Sequence, residues 1–177
     1  MINNFLNVRS FLKKYTRFAF LSLFLFSGCE KDDICVDGDT PHLIIRFYDK
    51  DAMETPKAVT ALQVAGEGLD PLSTVNGFTT DSIAIPLRAF ESSAIFSFTG
   101  DFDPDGDGIF EENTDTVTFN YQTEEVFISR ACGYVANYTD LNPAVEMVMD
   151  LDLWIDSIEI NNTTVSNEAA AHITIYH

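Results

Sequence analysis

Several residue types that often carry chemistry are scarce in this 177-residue sequence, which has three cysteines, three histidines and one tryptophan. Basic residues are also few: ten Lys and Arg stand against 28 Asp and Glu, giving a net charge of −18. Because such a surface repels phosphate groups, no nucleic-acid partner is expected. Apolar residues still make up 46% of the chain, so it is predicted to fold around a packed core.

The first 28 residues have the layout of a secretory signal. Four basic and no acidic residues precede Cys29, and the apolar run at 18–26 is too short to cross a bilayer core of roughly 30 Å. Ser27-Gly28-Cys29 resembles a bacterial lipobox, which implies acylation of the Cys29 thiol and removal of 1–28. An ordinary signal peptide with a chance cysteine is the alternative. The remaining chain would hold six basic and 28 acidic residues, a net charge of −22.

The residues after Cys29 resemble a localisation signal. Lys31, Asp32 and Asp33 resemble the acidic export signal that sends Bacteroidota lipoproteins to the cell surface. We therefore predict a lipid-anchored outer-membrane protein at the cell surface, with the periplasmic face as the alternative. In this interpretation 29–40 is an acylated cysteine with an acidic linker, and 41–177 is a single domain. A solvated linker without an export role would also be charged.

Two cysteines remain once Cys29 is acylated. Cys35 and Cys132 are an even pair in an exported chain, which predicts a disulfide between them. Two buried free thiols are the alternative.

Short alternating stretches recur along 41–177 and predict β-strands. Residues 43–48 alternate after a Thr-Pro break, and Pro86 predicts that a strand at 83–87 is an edge strand or a bulged one. Further strands are predicted at 58–65, 95–98, 117–121 and 126–129, with a polar turn between the last two. About eight or nine strands predict an all-β fold, an antiparallel immunoglobulin-like β-sandwich, with a closed barrel as the alternative.

The longest alternating pattern spans 145–155. Period 2 over this length predicts a strand with one face in the core and an acidic outer face that Trp154 would share. Asn161 and Asn162 predict a tight hairpin turn, because Asn tolerates positive φ. The segment 173–176 is predicted as the last strand.

One acidic loop, 101–112, matches the spacing of calcium ligands. It has acids at alternate positions, glycine at the sixth and glutamate at the twelfth, as in an EF-hand, and a second register resembles thrombospondin type 3 loops. The candidate ligands are Asp101, Asp103, Asp105, Asp107, Glu111 and Glu112. Calcium in a structural role is the one cofactor suggested, and a hydrated acidic loop is the alternative.

Catalytic patterns are weak. The histidines lack the spacing of a zinc hydrolase, and no serine lies in a G-x-S-x-G motif. We therefore predict no catalytic site. A carbohydrate-binding module or glycan hydrolase is the alternative, using the acidic strand face with Asp150, Asp152, Asp156 and Trp154.

Three segments resemble the O-glycosylation acceptor motif of exported Bacteroidota proteins, in which Asp precedes Ser or Thr and an aliphatic residue. The acceptors would be Ser82, Thr116 and Ser157. Strand starts of ordinary composition would produce the same pattern.

Most of the mature chain resembles a Bacteroidota outer-membrane lipoprotein family classed as a domain of unknown function. The matching stretches are 29–35, 40–49, 81–87, 115–119, 127–134 and 171–177. The resemblance implies an exported β domain anchored through Cys29, and a partner in the envelope such as an outer-membrane barrel protein; it implies no activity. The sequence therefore predicts a non-catalytic binding or structural role at the envelope, with a glycan as the other candidate partner.

Overall fold

A computed structural model describes residues 35, 38–102, 112–145 and 152–177, nearly all within a compact unit, Asp37–His177. These residues contain nine strands and no helix. The strands are β1 Leu43–Tyr48, β2 Val59–Gly66, β3 Pro71–Thr80, β4 Ser82–Ile85, β5 Ser93–Gly100, β6 Asn113–Ser129, β7 Gly133–Val145, β8 Ser157–Ile160 and β9 Ile173–Tyr176. In the described ranges no helix could span a membrane.

Several sequence predictions concern residues outside these ranges. They are the signal segment 1–28 and the residues Cys29, Lys31, Asp32, Asp33, Asp103, Asp105, Asp107, Glu111 and Asp150.

The strands form two packed sheets, which confirms the predicted β-sandwich. One sheet has four strands in the order β4-β1-β9-β8, and the other has five in the order β3-β2-β5-β6-β7. Every pairing is antiparallel except that of β1 with β9. Strand β4, which precedes Pro86, lies at an edge as predicted.

The core lies between the sheets and follows from the alternating pattern. In β1, Leu43, Ile45 and Phe47 are fully buried, whereas the residues between them are partly exposed. Period-2 alternation directs these three side chains to one face, and burying such a face stabilises a sheet. Strand β9 differs, because all four of its residues are buried at the centre of its sheet.

Strand β6 is longer than predicted. The expected polar turn between Tyr121 and Val126 is wrong, since β6 continues through both residues and pairs with β7. The partners extend from Gln122 with Thr139 to Phe127 with Tyr134. Strand β7 supplies the backbone hydrogen bonds that a turn would otherwise need, so the polar residues of β6 can remain in a strand.

Two other local predictions are wrong. Residues 152–156 are irregular rather than a strand; there the amide of Ile155 donates to the buried carboxylate of Asp115 at 2.7 Å. Asn161 and Asn162 do not form a tight hairpin turn, because β8 and β9 are joined by the whole segment 161–172. That connection packs Val165, which is fully buried, in a bridge to β7.

The five-stranded sheet has two distinct ends. One end, which we call the ribbon end, has the β2–β3 turn, the start of β5 and the β6–β7 turn. The opposite end, which we call the loop end, has the β5–β6 connection and the end of β7. The pairing of β5 with β6 begins at Ser93 and Asn120. The two-stranded ribbon of β6 residues 121–129 and β7 residues 133–140 therefore extends past β5, by about 25 Å at roughly 3.3 Å per residue.

Candidate functional site

A cleft of about 260 Å³ lies at the loop end, beside the segment that carries Trp154. Its lining comes from the approach to β2, the facing ends of β5 and β6, and the last residue of the sequence. The residues that line it are Lys57, Ala58, Val59, Thr60, Gly100, Asp101, Asn113, Trp154 and His177. Sequence reasoning singled out only two of these, Asp101 and Trp154, as site candidates.

Trp154 is held in place by packing on three sides. Its indole Nε1 donates a hydrogen bond of 3.0 Å to the carbonyl of Phe98, and its ring meets that of His177 edge-on at 5.6 Å. The Phe47 ring lies 6.3 Å away. A Cβ at Gly100 would lie 3.8 Å from the indole, which is an ordinary van der Waals distance.

The sequence placed Trp154 on the face of the acids, and this is wrong for the described ones. Asp152 and Asp156 are exposed, whereas Trp154 is half-buried against the core. The reason is that 152–156 is not a strand, so its alternation does not divide two faces of a sheet.

Lys57 and His177 close one wall of the cleft through reciprocal hydrogen bonds. Lys57 Nζ donates to the carbonyl oxygen of His177 at 2.8 Å, and His177 Nε2 lies 3.2 Å from the carbonyl oxygen of Lys57. Burial lowers the pKa of the His177 imidazole below its usual 6.5, which favours the neutral ring. Both side chains therefore have structural partners before any ligand arrives.

Asp101 has the only acidic side chain among the described residues that line the cleft. It has a left-handed backbone, with φ of 51°, and its amide donates to the carbonyl of Thr60 at 2.9 Å. A glycosidase needs two carboxyl groups on either side of the scissile bond. The described lining of the cleft has one acidic side chain.

The acidic loop begins and ends at this cleft. Of the six candidate calcium ligands, Asp101 and Glu112 are described, and both are exposed. The register pair of Gly100 and Asn113 holds the two ends of the loop together. Within the described ranges no group of three or more His, Cys, Asp or Glu residues could hold a metal. Calcium therefore stays a prediction that depends on residues 103–111.

A second groove, of about 560 Å³, lies along the edge strands β3 and β4. One wall carries Phe78, and another carries an ion pair in which His42 Nδ1 lies 2.6 Å from a Glu168 carboxylate oxygen. The hydrogen bonds from the backbone and ring of His42 lower the pKa of Glu168. Both partners are exposed, so the pair is screened by solvent and stabilises the fold little.

The ribbon end carries a different kind of surface. Phe127 and Tyr134 are cross-strand partners whose rings meet at 5.3 Å, and they are 56% and 67% exposed. Cys132 lies in the turn between them, where Gly133 supplies a positive φ of 72°. Cys35 and Cys132 are disulfide-bonded, which confirms the predicted pair.

The three predicted glycosylation acceptors differ in position. Ser82 and Ser157 begin β4 and β8, the two edge strands of the four-stranded sheet, and both are exposed. Thr116 is half-buried within β6, which has neighbours on both sides. Glycosylation stays a prediction, and access is best at the two edge positions.

Fold and disulfide together define a disulfide-bonded, all-β sandwich protein. The chain belongs to the family of unknown function DUF6452, whose model matches residues 61–177. The match begins inside β2 and includes Trp154 and Cys132, but neither Lys57 nor Cys35. No curated protein and no solved structure is similar enough to this chain to count as a match.

Proposed function

We propose that this protein is a lipid-anchored outer-membrane lipoprotein with a non-catalytic binding or structural role at the cell surface. The observation that carries the proposal is the disulfide between Cys35 and Cys132. Disulfides persist in oxidising compartments, so the bond agrees with export by the signal segment 1–28. Acylation of Cys29 would then add two or three acyl chains, each stabilised by about 0.8 kcal/mol per buried CH₂, which is enough for a stable anchor.

The non-catalytic part of the proposal rests on the cleft beside Trp154. Its lysine and histidine are engaged with backbone carbonyls, and its described lining contains one acidic side chain. General acid–base chemistry needs groups that can exchange protons with a substrate. The surface at the loop end is instead suited to polar contacts with a partner in the envelope, such as an outer-membrane barrel protein.

Mass spectrometry of the protein from native membranes tests the anchor. The expected N-terminal peptide begins at a diacylglyceryl-modified Cys29. Cys29→Ala should leave an unprocessed chain, whereas Cys35→Ala, the matched control, should still be acylated. An unmodified full-length chain in the soluble extract would contradict the proposal.

Protease treatment of intact cells tests the cell-surface address. We expect the domain to be cleaved from intact cells, because Lys31, Asp32 and Asp33 act as an export signal. Replacing all three by alanine should retain acylation at Cys29 but protect the domain from protease. Equal protection of both chains would place the protein on the periplasmic face.

A carbohydrate-binding role is the second candidate, because the partly exposed indole of Trp154 lines a cleft next to the Asn113 amide. Aromatic faces and amide groups are suited to sugars. The cleft of about 260 Å³ is small, and the indole already packs on three sides. Calorimetry with surface glycans and Trp154→Phe tests this role: a heat of binding that the variant abolishes would support it over a protein partner.

A further inference from the structure

We propose that the tip of the β6–β7 ribbon inserts into the headgroup–acyl boundary of the bilayer that holds the anchor, so that the loop end faces away from the membrane. This inference rests on the proposed acylation of Cys29. The inserted residues are those around the turn, chiefly Phe127, Ile128 and Tyr134.

The first argument is the exposure of apolar side chains at one end of the molecule. Phe127, Ile128 and Tyr134 are exposed on the ribbon, where β5 no longer covers β6. Leu69 in the β2–β3 turn and Phe90 before β5 are also exposed at this end of the sheet, but they lie at the base of the ribbon and not at its tip. Solvent-exposed apolar groups that cluster at one end indicate a surface that meets something less polar than water.

The second argument is the chemistry of the tip. Phe127 and Tyr134 form an aromatic pair, and Arg130 lies in the turn between their strands. Aromatic rings with a polar edge and a basic side chain are the residues that favour the membrane interface. The tip is therefore suited to the interface better than to a dry protein core.

The third argument is the length of chain between the anchor and the tip. Cys35 lies six positions after Cys29, so the two residues are at most about 20 Å apart along the chain. Cys35 is bonded to Cys132 in the ribbon turn, and farther along the chain Thr40 Oγ1 accepts a 3.2 Å hydrogen bond from the Ala136 amide. The anchor therefore keeps the tip close to the bilayer.

Two acids limit how far the tip can enter. Glu124 and Glu125 are exposed on β6, two or three positions before Phe127. At about 3.3 Å per residue they lie roughly 10 Å from the aromatic pair. Because a carboxylate strongly resists burial in apolar surroundings, insertion stops at the interface and does not reach the bilayer centre.

Quenching by brominated lipids tests the insertion in the acylated protein, reconstituted into phosphatidylcholine vesicles. The two probes are Phe127→Trp on the ribbon and Phe78→Trp on β3 at the loop end, residues that are 56% and 58% exposed. Wild-type protein gives the background from Trp154. We expect bromolipids to quench Trp at position 127 about threefold more strongly than Trp at position 78.

The outcomes separate this inference from the proposed function. Retention on vesicles with stronger quenching at position 127 supports both. Retention with equal quenching overturns the insertion but leaves the anchor intact. Protein that does not sediment with vesicles overturns the anchor and the insertion together. Protection of position 127 accompanied by a dimeric mass would assign the tip to a second copy of this chain and overturn the insertion.

Discussion

At the ribbon end, Phe127 and Tyr134 form an exposed aromatic pair beside a turn fixed by a disulfide; at the loop end, Trp154 is packed against the core. Both ends belong to one sheet and are joined by β6, which runs from Asn113 to Ser129. The same strand therefore connects an exposed aromatic pair to a packed aromatic residue. We propose that the two ends have separate tasks, attachment at the ribbon end and recognition at the loop end.

Removing the disulfide is the largest perturbation of the ribbon end. Because Cys35 and Cys132 lie 97 positions apart, the chain-entropy model expects the bond to stabilise the fold by about 4 kcal/mol. Urea unfolding of Cys132→Ser should report that loss. Reductant should lower the unfolding midpoint of the wild type and leave the variant unchanged; no effect on the wild type would contradict the stabilising role.

Truncation of Trp154 tests whether the loop end is built around a packed aromatic. Full truncation of a buried Trp or Phe costs 3–5 kcal/mol, and we expect about 3 kcal/mol for Trp154→Ala because its ring is half-buried. Tyr134→Ala, the matched change at the ribbon end, should cost under about 0.5 kcal/mol, since its side chain is exposed. If chemical denaturation showed that both variants lose similar free energies of unfolding, Trp154 would not be more important to the fold than Tyr134.

Tyr138 and Tyr121 lie where the β6–β7 ribbon joins the sheet, and their hydroxyls hydrogen-bond to the segment after β4. Tyr138 is fully buried, its hydroxyl donates to the Leu87 carbonyl at 3.0 Å, and its ring meets Tyr121 edge-on at 5.1 Å. Tyr138→Phe leaves that carbonyl without its partner, which we expect to cost about 1.5 kcal/mol. Tyr134→Phe on the exposed ribbon should cost nothing measurable.

Tyr138 also makes the stability of the fold decrease at alkaline pH. Burial, with a smaller contribution from Tyr121, raises the pKa of Tyr138 to about 12, against 10.0 for the exposed phenol. The stabilisation is therefore complete below pH 10 and is lost as the pH rises toward 12, because the unfolded state ionises first. Tyr138→Phe should flatten the fall in melting temperature over this range; an unchanged slope would assign the fall to other groups.

Local patterns predicted the parts of the fold that alternate without interruption, such as β1 and the edge strand before Pro86. They missed β3, where Asn76-Gly77 has the composition of a turn. Gly77 instead has a φ of 77° at a register shift between β2 and β3, which is a bulge inside a strand. Asn-Gly is common in turns and also in β-bulges. The sequence alone therefore does not distinguish the two; the pairing with a neighbouring strand does.

The cleft could be predicted only in part, because its walls come from distant segments. Trp154 was a candidate because it is a tryptophan. Lys57 and His177 lie 120 positions apart, and they meet because β1 pairs with β9 and a hydrogen bond then joins Lys57 to His177. No local pattern encodes that register. The disulfide, in contrast, followed from cysteine count, because the two cysteines that remain after Cys29 is assigned to acylation allow a single bridge.

Calcium gives the smallest expected effect and acts only at the loop end. Extracellular sites bind calcium at roughly 10⁻⁴–10⁻³ M. For a site at the weak end of this range, 5 mM calcium should stabilise the domain by about 1 kcal/mol and raise its melting temperature by about 3 °C. EDTA should reverse the shift, and Asp101→Asn with Asp105→Asn should abolish it, whereas Phe127→Ser on the ribbon should preserve it. A melting temperature that calcium does not move would mean that the loop is solvated acid. Recognition at the loop end would then depend on the cleft around Trp154 and the charge beside it.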